Sequence, residues 1–246
     1  MQNEFPMGDE FLELVAAGEE ECEKVTGQSA DRLGEKAPQC RRLLGNVLSM
    51  LYREACCFYG CAAGDHLPQR IAGRITSHAL SSYLLLNRGY YDESLSLSRS
   101  IGEAANLLFL FACRPQLFEH WRTANDQERW SAFRPMKVRN TLKDEGLPVP
   151  IDSERYGSLS SVAVHLGPEV APQAHRPQTR PTLGSYYRAE SYLVALNELA
   201  GATGVASGGL LWLLPQARKA WLKTTTVALL RSVGGVDLAA VQQMGV

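Results

Sequence analysis

The segment from Asp92 to Cys113 constrains the fold more than any other stretch of the chain. From Ala104 onward it reads Ala-Ala-Asn-Leu-Leu-Phe-Leu-Phe-Ala-Cys, apolar on nearly every side of a helix. A surface helix needs only one apolar stripe, so a helix apolar all round has to be enclosed by others. Leu97, Ile101, Ala104, Leu108 and Phe111 recur at helical spacing and predict its inward face. Its only polar stripe is Asp92, Ser96, Arg99, Glu103 and Asn106, at i, i+4, i+7, i+11 and i+14.

The flanking sequence supplies the enclosing helices. In Arg70–Asn87, Ile71, Ile75, His78, Ser82 and Leu85 share one helical face, Asn87-Arg88-Gly89 is a stop, and Asp92 and Glu93 suit the positive end of the next helix. So short a connection predicts an antiparallel hairpin. No valine- or isoleucine-rich alternating stretch argues for a strand. The fold class expected is all-α, a helical bundle with a long antiparallel hairpin at its centre. A chain of 246 residues, 45% hydrophobic and 21% charged, can bury a sizeable core and is not a disordered one.

Four regions are expected: an acidic helical segment over 1–36, a central bundle over 37–168, a proline-rich loop over 169–182, and C-terminal helices over 183–246 packed on the same bundle. Within the bundle, Pro135 opens a helix that stops at Gly146, and a short helix covers 153–166. The apolar run Leu199–Leu214 is shorter than the ~20 residues a membrane span needs. It predicts a buried helix, bent at Gly201, Gly204, Gly208 and Gly209.

Charge narrows the function classes. With 25 Lys+Arg against 26 Asp+Glu, the chain is no polycation built to coat nucleic acid. Its ends differ: residues 1–36 hold ten acids and three bases, a net of −7, and residues 170–236 hold two acids and seven bases, a net of +5. Such ends predict complementary surfaces within one fold or a homodimer, with an acidic tail that mimics nucleic acid or tags a partner as the weaker alternative. The N-terminus lacks the basic and apolar regions of a secretory signal, and the six cysteines lack framework spacing, so a cytoplasmic, bacterial-type protein is expected. Cys57 and Cys61 would share a helical face, but no CxxC or spaced histidine completes a metal site. No glycine-rich phosphate loop, zinc signature or serine elbow is present, so no metal or cofactor is predicted.

The chemistry is expected at Arg99 and Glu103, one turn apart beside the buried half of the central helix. A guanidinium withdrawn from water must meet a carboxylate, carbonyls or a bound anion. Either the two form an ion pair that fixes register, or Arg99 holds a phosphate or carboxylate with its planar fork, oriented by Glu103. His165 closes the 153–166 helix, where the dipole favours its charged form and a general acid, a phosphate contact or a simple cap are all open. His78 reads as a core residue. Arg114 and His120 match the arginine–histidine spacing of the nucleotide-binding ribonucleases of higher eukaryotes and prokaryotes, though a pattern so short arises by chance.

Residues 87–103 (Asn-Arg-Gly-Tyr-Tyr-Asp-Glu-Ser-Leu-Ser-Leu-Ser-Arg-Ser-Ile-Gly-Glu), 133–139 (Phe-Arg-Pro-Met-Lys-Val-Arg), and Tyr156, Leu159, Ser160 and His165 together resemble an uncharacterised bacterial all-helical family of unknown function. The likeness covers roughly residues 70–168 and departs at Leu166-Gly167, where the family has proline. It implies a helical fold and a site at Arg99, Glu103 and His165, with Lys137, Arg139 and Tyr156 as ligand contacts. The family is similar in architecture to the helical nucleotide-binding ribonuclease superfamily, which does not decide function. Two functions follow. The first is a non-catalytic binding or regulatory module, of bacterial defence or mobile-element type, with an Arg/Glu/His pocket for an anionic ligand or a partner protein. The second is a metal-independent ribonuclease-like enzyme in which His165 moves a proton, Arg99 stabilises phosphorane charge, and Lys137, Arg139, Arg176 and Arg180 track RNA. Trp121 and Trp130 lie among Glu119, Asp126 and Glu128 instead of among bases, which favours the first.

Overall fold

Prolines, glycines and polar caps set most helix boundaries in the computed structural model, which describes residues 5–60, 66–165, 185–214 and 216–233. In chain order the helices are α1 (Asp9–Ala30), α2 (Lys36–Ala55), α3 (Leu67–Asn87), α4 (Tyr91–Cys113), α5 (Pro115–Thr123), α6 (Asp126–Phe133), α7 (Pro135–Asp144), α8 (Ser153–Ala163), α9 (Ala189–Leu210) and α10 (Gln216–Ser232), with one 3₁₀ turn at Leu211–Leu213. No strand occurs among the described residues, and the fold is all-α. Pro68, Pro115 and Pro135 stand in the first turns of α3, α5 and α7, where a missing N–H costs nothing. Asn125 and Glu128 cap α6 reciprocally, and Asp152 accepts the Arg155 N–H at the start of α8.

α3 and α4 form the expected hairpin. Gly89 turns it at φ 81, a conformation open to glycine, and a Cβ there would stand 2.6 Å from the Tyr186 nitrogen. The hairpin is sealed by a small polar seam: buried Ser82 donates to the Ser94 carbonyl at 2.9 Å and lies 2.8 and 3.3 Å from the hydroxyls of Ser94 and Ser98. That seam turns Ser94 and Ser98 inward, so Leu97 and Ala104, expected in the core, are only partly buried.

α4 packs most extensively on α9, which also crosses α2 and α3, while α10 lies on α2 and α9. The expected interruption of α9 is absent. The helix runs unbroken to Leu210, and its glycines serve close packing, since a Cβ on Gly209 would lie 2.8 Å from the Leu108 Cβ. No proline interrupts the run, and backbone contact compensates for the low helix propensity of glycine. The main core spans α2, α3, α4, α9 and α10. A second cluster, Phe109, Leu110, Val138 and Leu142, seats α7 on the far half of α4.

Two further expectations need correction. α2 ends at Ala55, and Cys57 follows at φ 56 with its sulfur 3.6 Å from His66 Nδ1, so Cys57 does not continue the helix; Cys61 lies outside the described residues. α8 ends at Ala163, two residues short of His165, and the 169–182 loop with Arg176 and Arg180 is also outside them.

Candidate functional site

The site is built on α4. Asn106 is buried and clamps the backbone of Ile151 with both ends of its amide, donating to the Ile151 carbonyl at 2.8 Å and accepting the Ile151 N–H at 2.9 Å. One turn earlier Gly102 leaves the space that the Ile151 side chain fills; a Cβ there would lie 1.8 Å from Ile151 Cδ1. This fastening delivers the chain into α8 immediately above Arg99. Arg155, in the first turn of α8, ties the helix to α9 through two hydrogen bonds to Glu198 at 3.0 and 2.9 Å.

Tyr156 is thereby held at Arg99. The Arg99 guanidinium donates to the Tyr156 hydroxyl, and its carbon sits 4.2 Å from the ring centroid. Arg139 on α7 also stands over that ring, at 3.8 Å. Glu103 accepts from Arg99 at 3.0 Å. The pair is less withdrawn from water than expected, with side chains 17% and 25% exposed, because α8 covers Arg99 with only one aromatic ring. Nε of Arg99 and Nη1 of Arg139 are shielded from solvent without a hydrogen-bond partner among the described residues. One carboxylate thus answers two guanidiniums, which leaves the cluster cationic.

In front of Glu103 opens a cleft of about 380 Å³ between α3, α4 and α7. Ile75, Ile101, Ala104, Leu107, Phe133 and Val138 form its apolar walls, and Arg74, His78, Ser100 and Glu103 its polar points. Burial, and after it the charge of Arg74, holds His78 below the ordinary imidazole pKa. His78 is therefore a wall of the cleft and not the core residue expected. Arg74 and His78 are one turn apart on α3, a spacing that could have marked them, but the apolar neighbours Ile71 and Ile75 masked the signal.

Arg99, Glu103, Arg139 and Tyr156 are brought together, and His165 and Lys137 are not. His165 lies beyond the end of α8, exposed, its N–H bonded to the Ser160 carbonyl. Tyr156 stands seven residues, roughly 10 Å of helical rise, before the end of α8 at Ala163, and His165 follows beyond that end. Lys137 is exposed on α7. Arg114 is engaged by Glu145 at 2.7 Å, and His120 is exposed with its ring against Phe133, so these two share no site. Among the described residues no three His, Cys, Asp or Glu side chains group to hold a metal ion, and no helix is long and apolar enough to cross a membrane. No family model, no curated protein and no solved structure matches the chain.

Proposed function

We propose that the chain is a binding module for a small anionic molecule with an apolar body, taken up in the cleft between α3, α4 and α7. The observation that carries this reading is the convergence of Arg74, His78 and Glu103 on one apolar-walled cleft, with Arg99 and Arg139 behind the single carboxylate. The volume lies near the lower end of the roughly 300–1,000 Å³ usual for ligand pockets. The three guanidiniums against one carboxylate select for negative charge. Arg74 supplies a charge-assisted donor at the mouth, His78 a donor that strengthens on protonation, and Glu103, fixed by Arg99, an acceptor for a hydroxyl or amine of the ligand. Arg99, Tyr156 and Arg139 act as positioning residues. The ribonuclease-like alternative needs an imidazole beside Arg99, and the position of His165 beyond the end of α8 leaves it without that support.

Calorimetric titration with phenyl phosphate tests the proposal. Saturable binding is expected, weaker for inorganic phosphate, which cannot use the apolar walls. Arg74→Ala should weaken it about tenfold, the value of one charge-assisted hydrogen bond near 1.5 kcal/mol. An Arg74→Ala protein that binds as tightly as the parent, or no binding of either anion, would refute it.

A further inference from the structure

We propose that the N-terminal half of α1 docks into the groove between α2 and α3 of a second copy of the chain. α1 is one continuous helix, yet among the described residues it is anchored only in its second half. Its buried residues are Cys22, Thr26 and Ala30, and Glu19 and Glu23 pair with Arg88 at the α3–α4 turn. Before that anchor Phe11, Leu12 and Leu14 are exposed, as are Phe5 and Met7 just ahead of the helix. An unsupported helical stretch shorter than ~12–15 residues is marginal in water. Exposed apolar residues gathered on such a stretch mark a contact surface.

The groove has the opposite character. It encloses about 370 Å³ between Leu44, Leu48 and Tyr52 of α2 and Leu80 and Tyr83 of α3, with Arg41, which also pairs with Asp31 of its own chain at 3.4 Å, on its wall. Arg42 beside it is exposed, as are Tyr52, Leu80 and Leu84. The only carboxylate on either helix is Glu54, which is buried and bonded to Gln69. An acidic helix carrying Asp9, Glu10 and Glu13 beside its apolar residues fits a groove that is apolar within and basic at the rim. Each chain carries both surfaces, so reciprocal docking closes a two-fold dimer with no surface left over. α1 meets the rest of its own chain near Arg88, and its straight path carries the first turns away from that anchor.

Sedimentation equilibrium on the full chain, with charge reversal on each surface, tests this. The parent should sediment at twice the 27.1 kDa chain mass and dissociate as salt is raised. Glu10→Lys/Glu13→Lys and Arg42→Glu should each be monomeric, because each sets like charges against one another. An equimolar mixture should recover the dimer, since both docked arms then pair opposite charges. Phe11→Ser/Leu14→Ser should be monomeric without any change in charge. All these positions are exposed or lie at the groove rim, and unchanged far-ultraviolet circular dichroism will show that each variant folds. A parent that stays monomeric at every concentration, a dimer that survives both reversals, or folded variants that fail to pair on mixing would each overturn the proposal.

Discussion

Replacing Asn106 by Ala should cost far more than a typical polar substitution, because it strands two backbone groups and not one. The Asn106 amide is the partner that the structure gives the buried Ile151 N–H and carbonyl, at 2.9 and 2.8 Å. Leaving a buried polar group unsatisfied costs about 1–3 kcal/mol, so two together should cost about 2–6 kcal/mol. At roughly 2–4 °C per kcal/mol for a chain of this size, the midpoint should fall by roughly 4–24 °C. Asn106→Asp separates the bonds from the volume. A carboxylate still accepts the N–H but faces the carbonyl oxygen, whereas a protonated carboxyl can donate to that oxygen as the amide does. The folded-state pKa of this carboxyl is thus raised, and its destabilisation is least below the unfolded carboxylate value of about 3.9 and grows as pH rises above it. Thermal melts of both variants from acid to neutral pH are the assay. An alanine variant melting within about 2 °C of the parent, or an aspartate deficit independent of pH, would show that Asn106 does not fasten α8.

Glu103→Ala should cost about 1–2 kcal/mol, between the value of an exposed ion pair and the ~3–5 kcal/mol of a buried one, because Arg99 keeps Tyr156 and some water. Denaturant titration checks it, and a loss above about 4 kcal/mol would mean the pair is better buried than its exposure indicates. His78 has a depressed folded-state pKa, from burial first and Arg74 second. The unfolded chain therefore takes up its proton first, and stability falls as pH drops below about 6.5. His78→Gln should flatten that part of the pH profile; a steeper decline would refute the assignment. A bound anion should raise the same pKa, so phenyl sulfate, whose charge is constant over this range, should bind more tightly toward pH 6, and affinity unchanged with pH would separate His78 from the ligand.

The fold was legible wherever a local rule acts alone. Helical spacing and the Asn87-Arg88-Gly89 stop identify the hairpin, and the all-round apolarity of 104–113 places α4 at the centre. Errors arose where tertiary contact decides. Gly209 and Gly204 resemble helix breaks until α4 and α10 are placed against them, and Leu97 resembles core until the Ser82–Ser94–Ser98 seam rotates the helix. In the site, the i, i+4 spacing of Arg99 and Glu103 suffices to pair them, and Tyr156 and Arg139 were identified by resemblance alone. That α8 ends before His165, and that α3 turns Arg74 and His78 toward Glu103, depend on packing that no spacing in one segment reveals.

The pairing of α4 with α9 has a consequence for biosynthesis. Seventy-five residues separate the two helices along the chain, and the side chains of α4 that face α9 leave the ribosome long before the helix that shields them. Until α9 emerges, the side of the greasiest segment that faces it stays open, although α3 and then α5, α7 and α8 can cover its other sides. Nascent chains stalled in that interval are the species most prone to clump or to recruit a holdase, and yield during expression should track how quickly translation passes through α9.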